Sequence, residues 1–146
     1  MTEILIKRLS KEVALPKYET NGSSGMDLAA NLPLSVNIGP GKTEIIPTGI
    51  ALSIPKGYEV QIRPRSGLAA KQKITVLNTP GTIYADYRGE IKVILINLSN
   101  KSFLVENGLR IAQMVVCPIV QAKLKEVDYL GKTERGTGGF GSTGVK

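Results

Sequence analysis

The segment from Arg135 to Gly144 has the composition of a phosphate-binding loop, with five glycines among its ten residues. Glycine lacks a side chain, so its backbone N–H group can approach phosphate oxygens closely. The stretch Gly136–Thr143 differs from a Walker A loop because Ser142 stands where that motif has lysine, and no strand closely precedes it. A disordered terminus would also explain glycines, but it would not require the aromatic Phe140. We therefore predict a mobile arm that closes over phosphates.

A second candidate phosphate site lies where a strand is predicted to end and a short helix to begin, in Arg63–Ala69. Ser66 is a residue type favoured at a helix N-cap, and Arg65 precedes it. The N-terminal amides of a helix and an arginine together bind phosphate oxygens well. Taken alone, the segment is more typical of a capped helix on the protein surface.

Three further segments place polar residues in or beside turns. Ser24–Ala30 carries Asp27 after a turn, and Gly108–Met114 leads into a strand. The segment Val76–Glu90 is predicted to be a hairpin, in the order strand, Pro-Gly turn, strand, Arg-Gly turn, strand. A hairpin presents backbone donors and acceptors to the edge of a base, and Asn78 adds an amide with both. Each segment by itself is better explained as structure.

Composition restricts the possible chemistry. The chain of 146 residues has no histidine and a single cysteine, Cys117, which we predict to be a buried, inert thiol. This composition excludes Ser-His-Asp and Cys-His catalysis, an internal disulfide and most zinc sites. The net charge of +7 favours an anionic partner. The lack of Lys/Arg runs, with only 5 Tyr and 2 Phe, argues against a nucleic-acid surface. Apolar runs are too short for a membrane helix or a signal peptide, so we expect a cytoplasmic protein.

The elements that must position these segments are predicted to be short β-strands. Apolar or alternating stretches bounded by Pro or Gly are Glu3–Lys7, Leu34–Ile38, Thr43–Ile46, Gly49–Ile54, Tyr58–Arg63, Ile74–Leu77, Glu90–Leu98 and Arg110–Val120. Both alternating sets of Glu90–Leu98 are largely apolar, so this strand is predicted to be covered on both faces. The one helix candidate is Ser66–Lys71. The pattern predicts an all-β sandwich, jelly roll or barrel over residues 1–130, followed by a flexible arm over residues 131–146.

In order and spacing, the five segments together resemble the five motifs of the homotrimeric dUTPase family, from Leu5 to Gly144. The most specific of them are Pro64–Ala69, Asp86–Glu90 and the glycine-rich arm. The resemblance implies a jelly-roll-like β-clip subunit that forms a homotrimer, with three active sites that each use more than one subunit. It also implies the hydrolysis of dUTP to dUMP and diphosphate, with Mg²⁺ on the triphosphate.

The resemblance further implies roles for individual residues. Tyr87 is expected to pack against the deoxyribose and to disfavour a ribose 2′-OH. Asp27 is expected either in the water shell of the metal or as structural support. The residues expected at the uracil edge are Asn78, Thr82, Ile83 and the backbone near Lys92. Those expected at the phosphates are Arg65, Ser66, Gly67, Gln113 and, from the arm, Arg135. Phe140 is expected over the uracil, with Gly141 and Ser142 beside it.

The chain departs from the family pattern at the position of the catalytic aspartate. The third motif normally reads Gly, two residues, Asp, any residue, Asp, Tyr, and its first aspartate orients the attacking water. Here two residues, Thr82 and Ile83, follow Gly81, and the next position is Tyr84. Only about one tyrosine side chain in a thousand is ionised at neutral pH. Asp86 is a candidate substitute, on the same face if the segment is a strand. We therefore expect nucleotide binding with slow hydrolysis.

Two alternatives follow from these features. The first is a nucleotide-binding pseudoenzyme or regulator, which Tyr84 favours. The second, more distant, is a relative of the dCTP deaminases, which share the fold but need a glutamate on the helix. Residues 66–73 contain no glutamate. A smaller departure lies at Gln72 and Lys73, where the family often has His-Gly, and it affects only the turn after the helix.

Overall fold

The computed structural model describes residues 2–145, and this part of the chain is almost entirely β-structure. Its strands are β1 (Leu5–Arg8), β2 (Gly25–Ala29), β3 (Val36–Ile38), β4 (Thr43–Ser53), β5 (Tyr58–Arg63), β6 (Ile74–Val76), β7 (Gly81–Ile83), β8 (Glu90–Asn97), β9 (Phe103–Val105) and β10 (Arg110–Pro118). Its helix, α1, is Ser66–Gln72. The predicted all-β class with one short helix is confirmed.

Two antiparallel sheets of four strands enclose the core. The first sheet has the order β1-β4-β8-β6, the second has β2-β10-β5-β7, and β3 pairs with β9 in a small third sheet. Both large sheets contribute to one cluster of buried apolar side chains, for example Val93 and Leu95 from the first and Ile62 and Met114 from the second. The subunit is therefore a sandwich of the jelly-roll type, since two sheets share one apolar interior.

The region predicted as two strands, Thr43–Ile46 and Gly49–Ile54, is one long strand, β4. The register with β8 shifts between Pro47 and Ala51, so the strand stays in the sheet through an irregularity. Gly49 has a φ of 71° there, a conformation that glycine adopts without steric cost. Pro47 and Gly49 suggested a break, but the sheet absorbs both in a bulge-like irregularity.

The predicted hairpin over Val76–Glu90 is wrong. β6 pairs with β8 in the first sheet, whereas β7 pairs with β5 in the second. The chain therefore crosses from one sheet to the other between Val76 and Gly81. The turn residues were identified, but the sequence does not specify which sheet each short strand joins.

Two strands were not predicted, and several ends differ by a few residues. β2 contains Gly25, Met26 and Asp27, which do not give an alternating apolar pattern. β9 has only three residues, too few for periodicity to be visible. At the other end of the chain, β10 stops at Pro118 rather than at Val120.

β8 is buried on one face only, contrary to the prediction. Val93 and Leu95 are fully buried, whereas Ile94 and Ile96 on the opposite face are half-buried and Lys92 is exposed. Ile45 of β4 lies opposite Ile94 and is 61% exposed. We call Ile45, Ile94 and Ile96 the outer patch of the first sheet. The single subunit leaves this apolar patch partly open to solvent.

One buried polar side chain joins the first sheet to a neighbouring loop. Asn97, which is fully buried, donates from Nδ2 to the carbonyl oxygens of Ile38 at 2.8 Å and Lys101 at 2.7 Å. Its Oδ1 accepts from the backbone N–H of Ser99 at 2.9 Å and from the Ser99 hydroxyl at 2.7 Å. Each hydrogen-bonding group of the amide is therefore satisfied, as burial requires.

Helix α1 begins at Ser66, one residue earlier than it would if Ser66 were its N-cap. Arg65 is the N-cap, with extended backbone, and no side chain in the described residues caps this end. The helix ends at Gln72, and the residue that caps it, Lys73, has a left-handed φ of 58°. Glycine is the usual residue in that conformation. No helix in residues 2–145 is long and apolar enough to cross a membrane.

Candidate active site

A row of polar side chains crosses the second sheet at its centre. Gln113 of β10 lies opposite Asp27 of β2 on one side and opposite Arg63 of β5 on the other. Directly opposed residues of antiparallel strands point to the same face. Their neighbours Met114 and Ile62 are buried in the core, so the polar row lies on the face away from it.

Asp27 joins two arginines at one end of this row. Its Oδ1 accepts a hydrogen bond from Arg65 Nε at 3.0 Å, and its Oδ2 accepts one from Arg110 Nη1 at 3.1 Å. The Asp27 side chain is 22% exposed, and those of Arg65 and Arg110 are 30% and 53% exposed. Both carboxylate oxygens thus accept hydrogen bonds from guanidinium groups. This arrangement agrees with the structural-support role expected for Asp27.

Gln113 holds the segment that leads into α1. Its Nε2 donates to the carbonyl oxygen of Pro64 at 3.0 Å, which fixes the backbone immediately before Arg65. The Gln113 amide lies directly over Gly25, where an added Cβ atom would overlap Oε1. Gly25 has no positive φ, so space rather than conformation requires glycine here.

Arg65, Ser66 and Gly67 follow one another at the start of α1, beside this row. Ser66 and Gly67 are exposed, and Arg65 is half-buried. No heavy atom outside the neighbouring residues lies within 4 Å of a Cβ built on Gly67, so the approach to its backbone is open. Of the residues predicted at the phosphates, Arg65, Ser66, Gly67 and Gln113 therefore lie in one cluster with Asp27. Arg135 lies in the arm and, among the residues that the structure describes, makes no hydrogen bond to this cluster.

A compact turn between β7 and β8 presents Tyr87. The Tyr87 N–H donates to the carbonyl oxygen of Tyr84 at 3.2 Å, and the Tyr87 hydroxyl donates to that of Glu90 at 3.1 Å. The ring lies against Gly89, where a Cβ atom would overlap it. Tyr87 is still 45% exposed. Its hydroxyl is thus engaged while part of its ring remains available for contact.

The residues predicted at the uracil edge divide between the two sheets. Thr82 and Ile83 lie on β7, an edge strand of the second sheet, and the Asn78 side chain packs close to Gly81 of the same strand. Lys92 instead lies on β8 of the first sheet, opposite Pro47. The structure therefore brings Asn78, Thr82 and Ile83 together but does not pair them with the strand that carries Lys92.

Tyr84 and Asp86 follow the end of β7 and line a cleft of about 530 Å³ together with Lys56 and Tyr58. Tyr84 is 68% exposed, and Asp86 is also exposed. β7 ends at Ile83, and the backbone from Tyr84 to Tyr87 forms a turn. The segment is therefore not a strand at Tyr84 and Asp86, so the condition for a shared strand face is not met.

The arm contains turns and lies open to solvent. Every hydrogen bond that residues 131–145 form stays within this segment, for example from the Ser142 N–H to the Gly139 carbonyl oxygen at 3.0 Å. Phe140 and Gly141 both have positive φ, and the Phe140 side chain is fully exposed. Arg135 is exposed as well. Lys146, the last residue of the predicted arm, lies outside the described residues.

The described residues offer no direct metal cage. Within residues 2–145, no three His, Cys, Asp or Glu side chains come together in a way that could hold a metal ion. Asp27, the predicted metal contact, already uses both oxygens on Arg65 and Arg110.

Arg110 is a site residue that the sequence interpretation missed. It lies in the segment Gly108–Met114, from which the family resemblance implies a role only for Gln113. The feature that places Arg110 in the site is the burial of both Ile111 and Ala112, although they are adjacent in a strand. Cys117 also differs from expectation: it is half-buried, with its Sγ 3.7 Å from a guanidinium nitrogen of Arg63.

Comparison with known proteins identifies the family to which the chain belongs. The model of the dUTPase family matches residues 11–144. The deoxyuridine 5′-triphosphate nucleotidohydrolase of Beijerinckia indica is 58% identical over 97% of this chain and 91% of its own length. The protein of the same name from a Hydrogenobaculum species is 54% identical over 99% of both chains.

Solved structures show the same fold. A mutant dUTPase of Staphylococcus bacteriophage 80alpha with dUpNHpp matches with a TM-score of 0.89 and 28% identity, over 99% of this chain and 100% of its own. At 22% identity and a TM-score of 0.80, over 89% of this chain and 99% of its own, a mutant dUTPase of phage phi11 shares the fold and coordinates a structural Mg(II) ion. Because the family model and the relatives each cover most of the sequence, this chain belongs to the dUTPase family.

Proposed function

We propose that this protein hydrolyses dUTP, as its Mg²⁺ complex, to dUMP and diphosphate. The observation that carries the proposal is the cluster at the start of α1. There, Asp27 and Gln113 hold Arg65 and the preceding backbone beside the open amides of Ser66 and Gly67. A guanidinium group and free backbone N–H groups together favour phosphate oxygens. The family relationship adds the substrate, since the relatives named above are deoxyuridine triphosphate nucleotidohydrolases.

The nucleoside is proposed to bind along β7. As an edge strand, β7 has one side free of sheet hydrogen bonds, so Thr82 and Ile83 can offer backbone donors and acceptors to the uracil edge. The Asn78 amide lies beside this edge. Tyr87 presents an exposed ring while its hydroxyl is bonded to Glu90, so a ribose 2′-OH would lose water there without gaining a partner. A role for Lys92 rests on the family resemblance alone.

Magnesium is proposed as part of the substrate. The ion would neutralise part of the triphosphate charge, and Asp27 would contact it only through water. The bonds of Asp27 to Arg65 and Arg110 make direct ligation unfavourable, since the carboxylate would have to leave both arginines.

The active sites are proposed to be shared within a homotrimer. Two features of the subunit support this assembly. The outer patch, with Ile45 61% exposed, is an apolar surface that a neighbouring subunit could cover. Residues 131–145 form no hydrogen bond to the rest of their own subunit. We propose that they close over a neighbour's site, with Arg135 at the γ-phosphate, Phe140 over the uracil, and Gly141 and Ser142 beside it.

Tyr84 is proposed to make hydrolysis slow. It occupies the sequence position of the family's base, and its exposed ring lines a cleft together with Asp86. Asp86 lies in the same cleft but two residues further along the turn from Tyr84 to Tyr87, so we expect it to replace the missing carboxylate only in part. The same observation favours a second candidate function, a nucleotide-binding pseudoenzyme that binds dUTP without releasing diphosphate.

A diphosphate-release assay separates these functions. We expect measurable release from dUTP and much less from dCTP, dTTP and UTP. Binding of a non-hydrolysable dUTP analogue without any release from dUTP would establish the pseudoenzyme instead. Preference for dCTP, or the absence of binding to every nucleotide, would contradict both proposals.

Shared sites can be tested by mixing two inactive variants. Arg65→Ala removes a phosphate residue from the body of the subunit, and Arg135→Ala removes one from the arm. Refolded together, they should regain activity in about one site in four, because random trimers combine an intact Arg65 with an intact arm from a neighbour. Each variant refolded alone is the control. No recovery in the mixture would show that each arm serves its own subunit.

We further propose that the protein works in the cytoplasm on this small-molecule substrate. Nucleoside triphosphates are intracellular metabolites, which supports that location. Neither a membrane nor a stable nucleic-acid partner is part of the proposal. The net charge of +7 then complements the negative charge of the triphosphate.

A further inference from the structure

β10 contains one extra residue close to its start. Arg110 is paired with Ala29 and Ala112 with Leu28, so Ile111 has no partner of its own in β2. Ile111 and Ala112 are both buried, at 1% and 0% exposure, although adjacent strand residues normally point to opposite faces. The bulge therefore shifts the alternation by one residue. Without it, Arg110 would point towards the core.

The shift places Arg110 on the face that carries Asp27 and Gln113. There its Nη1 donates to Asp27 Oδ2 at 3.1 Å, while the other oxygen of Asp27 accepts from Arg65 Nε at 3.0 Å. The Arg65 Nη1 also donates to the backbone carbonyl oxygen of Arg110 at 3.3 Å. Arg110 thus acts on Arg65 twice, once through the Asp27 carboxylate and once through its own backbone.

From this geometry we propose that Arg110 is a positioning residue for the triphosphate. It fixes Asp27, and Asp27 fixes the guanidinium of Arg65 towards the start of α1. The inference rests on the proposed function, in which Arg65 binds phosphate. Bulges commonly re-aim a side chain next to an active site, which gives the irregularity in β10 a reason.

The charges explain why a second arginine is needed. Asp27 alone would orient Arg65 but would also cancel its charge, which weakens the attraction for phosphate. With Arg110 present, the three side chains carry a net charge of about +1, so the cluster stays attractive to an anion. Arg110 therefore keeps Arg65 oriented and the site positive at the same time.

The variant Arg110→Gln tests this role. It keeps a long polar side chain on the strand but removes the positive charge. We expect its affinity for dUpNHpp to fall about tenfold, close to the low end of the range for one lost charge-assisted hydrogen bond. Its affinity for deoxyuridine, which has no phosphate, is expected to stay unchanged. The matched control is Arg8→Gln, since Arg8 Nη1 donates only to the carbonyl oxygens of Lys11 and Val13.

Affinities for the two ligands, a double-mutant cycle and unfolding temperatures decide the outcome. A double-mutant cycle with Asp27→Asn should be non-additive, because both substitutions break the same chain of contacts. If Arg110→Gln binds dUpNHpp as well as the unaltered protein does, the inference is wrong and the proposed function stands. If the variant loses deoxyuridine affinity equally, or its unfolding temperature drops far below that of Arg8→Gln, the role is structural and the inference is wrong. If the unaltered protein does not bind dUpNHpp, the proposed function itself fails.

Discussion

Restoring a carboxylate at position 84 is the sharpest test of how this protein handles dUTP. Tyr84 is 68% exposed and follows the last residue of β7. Its replacement by aspartate removes a ring from the cleft of about 530 Å³ and leaves a carboxylate there. Because the side chain supports no part of the core, the free energy of unfolding is expected to change by less than about 0.5 kcal/mol.

The expected effect on turnover is large. A positioned general base contributes roughly 10²–10⁴-fold to rate, which corresponds to about 3–5 kcal/mol of activation free energy. Asp86 offsets only part of this loss, since its backbone belongs to the turn after β7 rather than to the strand. Tyr84→Asp is therefore expected to raise kcat by about 10²-fold or more. KM should change much less, because the phosphate cluster around Arg65 is untouched.

Steady-state diphosphate release at saturating dUTP measures this change. Tyr84→Asn has nearly the same size as the aspartate variant but no charge, so it separates relief of crowding from base catalysis. If Tyr84→Asn accelerates turnover as much as Tyr84→Asp, the ring was merely an obstacle. If neither variant differs from the unaltered protein by more than a few-fold, the base assignment is refuted.

Three further substitutions follow from contacts in the fold. Gly25→Ala is expected to push the Gln113 amide off the Pro64 carbonyl oxygen and so to weaken dUpNHpp binding severalfold, with little change in the free energy of unfolding. In the control Gly22→Ala, no atom lies within 4 Å of the added Cβ, so the affinity measured by calorimetry should stay unchanged. Asn97→Asp places a carboxylate oxygen against two carbonyl oxygens and should lower the free energy of unfolding in urea by about 3 kcal/mol; a loss below about 1 kcal/mol would contradict the assigned bonds. Lys73→Gly relieves a left-handed backbone and should raise the unfolding free energy in urea by about 0.5–1 kcal/mol, because the exposed bond from Lys73 Nζ to the Ala70 carbonyl oxygen contributes less than this. An unfolding free energy that does not rise would contradict the assigned strain.

Much of the fold could be predicted because alternation and turn residues are local signals. β5 was predicted with the ends that the structure shows, and the helix differs from its prediction by one residue. Local signals fail where tertiary pairing decides. β6 and β7 look like two arms of a hairpin, but each finds its partner in a different sheet. The Pro47 and Gly49 positions look like a break, but β8 holds the strand together across them.

In the candidate site, too, local signals were sufficient for some residues and tertiary pairing decided the others. Arg65 and Gln113 were identified because their motifs have a distinctive order, and the structure places both at the start of α1. Arg110 was not identified, because its orientation depends on a single unpaired residue, Ile111. A bulge of one residue changes which face every earlier side chain of the strand occupies. Such a shift becomes visible only when the partner strand is known.

The freedom of the arm gives this protein a way to recognise an intact substrate. Ordering the backbone costs about 1–2 kcal/mol per residue, and more at glycine, so closing the segment from Arg135 to Gly144 opposes binding strongly. In the proposed complex, that cost is offset only while Phe140 contacts the base and Arg135 contacts the terminal phosphate of one molecule. Hydrolysis separates these two contacts into different products. The arm then gains too little from either product to stay ordered, and the site opens for the next molecule.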